Sequence, residues 1–119
     1  MEFRSPQNGR WSVGQRILAQ WYPEVFFYPG VIEAIDGEEY TVQFDDGDRA
    51  LVTARQIMPL DIKVGSRIFG RWQNGELYYP GRVDQQNGDK IHVRYEDGDE
   101  EWTTISMVRV ERPIPRPDM

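Results

Sequence analysis

The sequence predicts an all-β chain made of two tandem five-stranded barrels packed on each other through a short linker. Three observations carry this. The first is an ungapped internal repeat: Val13-Gly14-Gln15-Arg16-Ile17 lies over Val64-Gly65-Ser66-Arg67-Ile68, 51 residues on. The register then holds without insertion, placing Trp21 on Trp72, Tyr28-Pro29-Gly30 on Tyr79-Pro80-Gly81, Gly37 on Gly88, and Asp46-Gly47-Asp48 on Asp97-Gly98-Asp99. Such self-similarity is the signature of a duplicated structural unit. The second is alternation with period two, the strand signature: Ile17, Ala19 and Trp21 share one parity, as do Tyr40, Val42 and Phe44, and Ile91, Val93 and Tyr95. The third is the placing of Asp-Gly pairs between the alternating runs, where a hairpin needs residues that accept positive φ.

Taken in order, the first copy predicts strands over about 15–21, 27–35, 39–45, 49–54 and 56–58, and the second repeats them at the same offset. Short strands spaced by turns point to a small barrel. Residues 11–60 form the first unit and 61–112 the second. Residues 1–10 and 113–119, polar or proline-rich, are expected to be disordered tails. The joint at Pro59-Leu60-Asp61-Ile62-Lys63 is too short to act as a flexible linker, so the units are expected to touch.

Composition narrows the function classes. There is no cysteine, which removes disulfides, thiolate metal sites and cysteine nucleophiles. No apolar run approaches the roughly 20 residues of a membrane helix, and the first residues lack the apolar core of a secretory signal. The formal net charge is −6, which disfavours nucleic acid and favours basic partners. The charge divides unevenly: residues 13–60 hold 8 acidic and 3 basic side chains, and residues 61–110 hold 9 and 7. The first copy is therefore the better electrostatic trap for a cationic peptide. Arg67, Arg71, Arg82, Lys90 and Arg94 in the second copy read as a solvated face or as a patch for nucleic acid or an acidic partner.

Each copy also carries the same ordered set of chemical groups: a Trp at the end of the first strand, a Tyr-Pro-Gly soon after, an aromatic ending the third strand, and an Asp-rich turn directly behind it. These are Trp21, Tyr28, Phe44 and Asp46 in the first copy, and Trp72, Tyr79, Tyr95 and Asp97 in the second. In a small barrel, strand ends and loop edges gather at one rim. Ring faces there attract a quaternary ammonium through their quadrupole, at roughly 0.5–2 kcal/mol per contact, and a carboxylate adds charge attraction. The expected behaviour is weak, reversible capture of a cation.

These motifs, Val-Gly-x-Arg-Ile, the strand-ending Trp, Tyr-Pro-Gly, and Phe-Asp-Asp-Gly-Asp or Tyr-Glu-Asp-Gly-Asp, resemble the Tudor domain family in tandem. Phe69-Gly70-Arg71-Trp72 followed by Leu77-Tyr78-Tyr79 is similar to Tudor domains of chromatin and nuclear-envelope readers. The resemblance covers about residues 13–110. It implies SH3-like barrels that bind methyl-lysine or methyl-arginine in aromatic cages, nuclear residence in a eukaryote and otherwise the cytoplasm, and a methylated basic peptide such as a histone tail as the partner of a monomeric, non-enzymatic module without cofactor. Family members often place another aromatic just after the Asp-Gly pair, whereas Asp48 and Asp99 stand here. An additional carboxylate can accept a hydrogen bond from an ammonium that keeps an N–H, so the expected preference is for lower methylation states.

Other features have plainer readings. Trp11 and Trp102 have no Trp at the matching position of the other copy and are expected in the core or an interface, as is Tyr78, which aligns with Phe27. The acidic turns lack the ligand spacing of a calcium loop. His92 differs in parity from Ile91 and Val93 and is expected to face solvent; a single His makes neither a triad nor a metal site. No phosphate-binding loop and no nucleophile–base pair is visible. A nucleic-acid-binding module of the same fold and a pure interaction scaffold are the competing readings.

Overall fold

The structure is a computed structural model that describes residues 11–21 and 23–111; the expected terminal tails, 1–10 and 113–119, lie outside the described residues. Ten strands follow one another: β1 (Arg16–Gln20), β2 (Phe26–Asp36), β3 (Glu39–Phe44), β4 (Arg49–Val52), β5 (Ile57–Pro59), β6 (Arg67–Arg71), β7 (Tyr78–Asn87), β8 (Lys90–Tyr95), β9 (Glu100–Thr104) and β10 (Val108–Glu111). All pairings are antiparallel. The repeat is therefore a structural repeat, strand for strand.

The local reasons are the same in both halves. The Asp-Gly turns place Gly47 at φ 99° and Gly98 at φ 100°, and the first Asp caps each turn by accepting from the backbone two residues on, Asp48 N to Asp46 Oδ1 and Asp99 N to Asp97 Oδ1, both 3.0 Å. The glycine of each Tyr-Pro-Gly meets a different demand. A Cβ on Gly30 would lie 2.8 Å from the Gln43 carbonyl oxygen, and one on Gly81 would lie 2.8 Å from that of Arg94. β2 and β3, like β7 and β8, thus cross too closely there for any side chain. Just beyond, each long strand carries a register shift, between Ile32 and Ala34 and between Val83 and Gln85, the bend a bulge gives a strand that must curl.

Pairing within the first half runs β4-β3-β2-β1-β5, and within the second β9-β8-β7-β6-β10. The halves do not merely pack. β10 pairs with β6 through Val108 and Arg109 and then with β2 of the first half through Val110 and Glu111. The result is one ten-stranded antiparallel sheet, and no pairing among the described residues closes either half into a barrel. Of the expected two tandem five-stranded barrels packed through a short linker, the structure shows the all-β antiparallel strands within one open sheet: β10 has two neighbours, where its duplicate β5 has β1 alone.

Two apolar clusters form. One gathers Trp11, Ile17, Ala19, Ile32, Tyr40, Val42, Phe44, Val52 and Ile57. The other gathers Ile62, Ile68, Val83, Ile91, Val93, Tyr95, Ile105 and Val108, together with Leu18 and Phe27 of the first half, and Met58 and Leu60 pack against it. β1 explains the sharing. Alternate side chains leave a strand on opposite faces, so Ile17 and Ala19 enter one core while Leu18, only 2% exposed, enters the other. Trp11 is a core residue as expected. Trp102 is not, being 52% exposed.

His92 corrects the reading from parity. It does leave the core face, but it is only 8% exposed. Its Nδ1 lies 2.6 Å from Asp84 Oδ1, its Nε2 3.4 Å from Glu100, and the Trp102 ring lies against it with centroids 5.2 Å apart. Cross-strand neighbours on the second face cover it; alternation alone does not reveal them.

Candidate functional site

Two ring-lined clefts occur at equivalent places in the two halves. The first has a volume of about 240 Å³ and is lined by Trp21, Tyr28, Phe44, Asp46 and Asp48, with Glu24 and Tyr78 beside them. The second, about 220 Å³, is lined by Trp72, Tyr79, Tyr95, Asp97 and Asp99. Every residue singled out from sequence is thus brought to one of two clefts. Each Trp sits where its first strand ends, each Tyr at or near the start of the long second strand, and each aromatic and Asp pair at the hairpin after the third.

In the first cleft the rings stand edge to face. Trp21 and Phe44 have centroids 5.4 Å apart at 77°, and Tyr28 and Phe44 6.4 Å apart at 89°. This is the arrangement favoured by ring quadrupoles, and it builds a corner. Phe44 is buried while Trp21 and Tyr28 are half-buried, so faces remain open to the cleft. In the second cleft Trp72 and Tyr95 repeat the corner at 5.7 Å and 88°. Tyr79 is more open, at 39% exposed.

Sequence reasoning missed two residues of the first cleft. Tyr78 belongs to the second half, and its ring meets that of Tyr28 at 6.2 Å and 81°. Expected in the core or an interface, it stands where the halves meet and borders the first cleft, a place that its alignment with buried Phe27 does not indicate. Glu24, in the β1–β2 loop, aligns with Gly75, and that asymmetry is the signal that could have found it.

Behind these groups lies Arg109 of β10. Its guanidinium carbon sits 3.7 Å from the Phe26 ring centroid and 4.0 Å from that of Tyr78. Its Nη1 donates to Tyr28 Oη at 2.6 Å, and Tyr28 Oη donates to Glu24 Oε1 at 2.6 Å. Burial, and then the bond to Glu24, push the Tyr28 hydroxyl up to about 12, so it stays protonated. Burial also raises the Tyr78 hydroxyl. In the second cleft Tyr95 Oη donates to Glu101 at 2.7 Å, and burial followed by that bond raises its pKa as well. The same Glu101 accepts from the backbone of Gln73 at 3.1 Å, pinning the loop beside Trp72.

The arginines of the second half are largely engaged. Arg67 pairs with Glu96, Arg94 with Asp84 and Glu100, Arg71 donates to the Gly75 carbonyl, and Arg82 donates to that of Gly65. They are interleaved with carboxylates and do not form a continuous basic face. Among the described residues no cluster of His, Asp and Glu is arranged to hold a metal ion, and no helix is long and apolar enough to cross a membrane.

Residues 14–110 match the family model described as "Domain of unknown function (DUF4537)". No curated protein matches the chain. Among solved structures, the tandem Tudor domains of Crb2 are similar, with 22% identity, a TM-score of 0.55 and 87% of each chain covered. AGD34 of Arabidopsis thaliana AGDP1 matches with 13% identity and a TM-score of 0.45 over 88% of this chain and 85% of that one. Tandem Agenet domain 3-4 of ADCP1 matches with 12% identity and a TM-score of 0.42 over 88% and 83%. The likeness to the Crb2 domains shows a Tudor-like fold.

Proposed function

We propose that this chain, which belongs to the DUF4537 family, is a non-enzymatic binding module that reads methylated lysine, in its lower methylation states, on basic peptides such as histone tails. One observation carries the reading: three aromatic rings and two carboxylates converge on a single open cleft, and the same set recurs at the equivalent place in the second half. A methylated ammonium is a diffuse cation with an apolar surface. It gains from ring faces through their quadrupole and from burial of its methyl groups, and carboxylates at the rim hold its charge. Each half is read as a Tudor-like unit curled around its own strands. Nothing in either cleft resembles a nucleophile beside a base, so recognition is the chemistry the site offers.

The first cleft is the favoured site. It has an additional ring from Tyr78 and an additional carboxylate from Glu24, and its half carries the larger net negative charge. The nucleic-acid alternative is disfavoured, because the arginines that motivated it are occupied by carboxylates and backbone carbonyls.

The test is a titration followed by amide and Trp-indole NMR, using peptides of one basic sequence with lysine unmodified or mono-, di- or trimethylated. Selective shifts around Trp21 are expected, abolished in Trp21→Ala and kept in Trp72→Ala. An absence of shifts at millimolar peptide for every methylation state rejects the methyl-lysine reading.

A further inference from the structure

The Trp21 ring that lines the first cleft also lines a neighbouring groove of about 190 Å³, together with Gln20, Ala50, Leu51, Val52 and Gln56. The groove lies between the end of β1 and β4, and β4 is the strand at one edge of the ten-stranded sheet. Its β4 side is apolar, and two carboxamides complete it.

The edge of β4 adds backbone groups. Phe44 N donates to the Asp48 carbonyl at 2.8 Å, and the Phe44 carbonyl accepts from Gly47 N at 2.9 Å, so Phe44 is a hydrogen-bonded position of the hairpin. Bonded and unbonded pairs alternate along an antiparallel ladder. Ala50, opposite Val42, and Val52, opposite Tyr40, therefore bond to β3, whereas Leu51, opposite Thr41, turns its N–H and C=O away from it. No other strand pairs with β4 among the described residues, and Leu51 is 64% exposed. Backbone groups on such an edge are what an extended peptide uses to add a strand. The carboxamides are each half engaged. Gln20 Nε2 donates to the Glu24 carbonyl, and Gln56 Oε1 accepts from Thr53 N. Gln20 Oε1 remains as an acceptor and Gln56 Nε2 as a donor.

The second half bridges the corresponding place. Glu101 aligns with Ala50. Its carboxylate accepts from Gln73 N at 3.1 Å and from Tyr95 Oη at 2.7 Å, which ties β9 to the loop after β6. Ala50 has no group to make such a tie.

We propose that the groove is a second subsite of the first cleft: it holds the chain beside the captured methylated lysine in an extended conformation and seats an apolar side chain two residues from that lysine. This rests on the methyl-lysine reading above. Continuity names the occupant, because one ring serves both spaces. A group in contact with a ring lies about 3.5–4 Å from it, so groups on its two sides stand ~7–8 Å apart. Alternate side chains of an extended chain are spaced by roughly 6.8 Å. The ligand backbone pairs with Leu51, and its apolar side chain rests on Ala50, Val52 and Trp21. The excess of carboxylates in residues 13–60, 8 acidic against 3 basic, suits a basic peptide.

The test uses capped dimethyl-lysine, which has no flanking chain, and glycine-serine peptides with one dimethyl-lysine and a leucine two residues before it, two after it, or absent. Binding is followed at the Trp21 indole, the Leu51 amide and the Gln20 and Gln56 side-chain amides. Leucine at one of the two places is expected to tighten binding about tenfold, ~1.4 kcal/mol, and to shift the Leu51 and glutamine signals. Leu51→Pro removes the edge N–H without touching the β3 ladder, as proline is tolerated on the open side of an edge strand. Ala50→Gln narrows the groove without adding charge. Either variant is expected to cut the leucine gain below about threefold and to bind capped dimethyl-lysine like the wild type. No gain from leucine at either place, a gain undiminished in a variant, or a variant that weakens capped dimethyl-lysine by the same factor overturns the subsite and leaves the methyl-lysine reading standing. A wild type in which no methylated ligand shifts Trp21 overturns both.

Discussion

Leu18→Ala tests whether the two halves form one cooperative unit. Leu18 lies in the middle of β1, opposite Pro29 and Met58, and its side chain is in the second core although its strand belongs to the first half. Removing three carbons forfeits about 0.8 kcal/mol of transfer energy per methylene. The rigid surroundings, sheet on both sides of the strand, add a cavity cost, for a total of roughly 3–4 kcal/mol within the range seen for buried Leu→Ala changes. For a chain of this size each kcal/mol moves Tm by roughly 3–5 °C, so a drop of about 9–20 °C is expected. Thermal unfolding followed by calorimetry is read beside the NMR indole signals of Trp11, in the first core, and Trp72, against the second. Both signals are expected to disappear together at the lowered Tm. Early loss of the Trp72 signal with that of Trp11 unmoved refutes the single unit, and a loss under about 1 kcal/mol refutes the packing argument.

Further outcomes follow from other parts of the structure. Gly30→Ala and Gly81→Ala each drive a Cβ to within 2.8 Å of a neighbouring backbone carbonyl oxygen, and each is expected to cost about 2–3 kcal/mol, in the range of overpacked cores, measured by urea unfolding; a neutral Gly30→Ala contradicts the close crossing of β2 and β3. Tyr78→Ala removes one ring from the first cleft and is expected to weaken methylated-peptide binding at Trp21 by roughly 3- to 30-fold, the equivalent of one cation–π contact, while shifts at Trp72 are unchanged. Alkaline pH is expected to destabilise the fold. Tyr28 is raised to about 12 in the folded state, above its ordinary value near 10, so the folded chain holds its proton more tightly; that stabilisation is complete below pH 10 and lost as pH rises towards 12. Tyr95 shifts in the same direction. Phenolate absorbance should show at least two tyrosines ionising late, and Tyr28→Phe should remove one of them.

The strands, turns and cleft residues were legible because they depend on local rules. Alternation located β3 and β8 within a residue, and the Asp-Gly pairs located their hairpins. The aromatic and acidic set was legible because duplication repeated it in order. What escaped depends on how one half meets the other. Nothing in the period of Val108-Arg109-Val110 indicates that this strand pairs with β2 as well as β6. Without that pairing, Tyr78 has no reason to stand near Tyr28, and Leu18 reads as the solvent-side residue between Ile17 and Ala19. His92 illustrates the same limit within one half: parity gives the face correctly, but burial on that face depends on Trp102, Asp84 and Glu100 closing over it.

The repeat places Arg109 at the position of Met58, and the two have exchanged allegiances. Met58, in the first half, packs against the second core. Arg109, in the second half, is stacked between Phe26 and Tyr78 and holds the Tyr28 hydroxyl of the first cleft. Its Nε is buried without a hydrogen-bond partner among the described residues, a cost of about 1–3 kcal/mol by the usual penalty for an unsatisfied buried group. A methionine there, as in the other copy, avoids that cost but cannot donate to Tyr28. The guanidinium offsets part of its desolvation with two ring faces, one short hydrogen bond to Tyr28 and an ion pair with Glu24 Oε1 at 3.9 Å. Each half therefore completes the other, the first supplying apolar surface to the second core and the second supplying the polar scaffold of the first cleft. A duplicated chain arranged in this way keeps two similar clefts in sequence but makes them unequal in structure, since Arg109 of the strand that joins the halves bonds a ring of the first cleft.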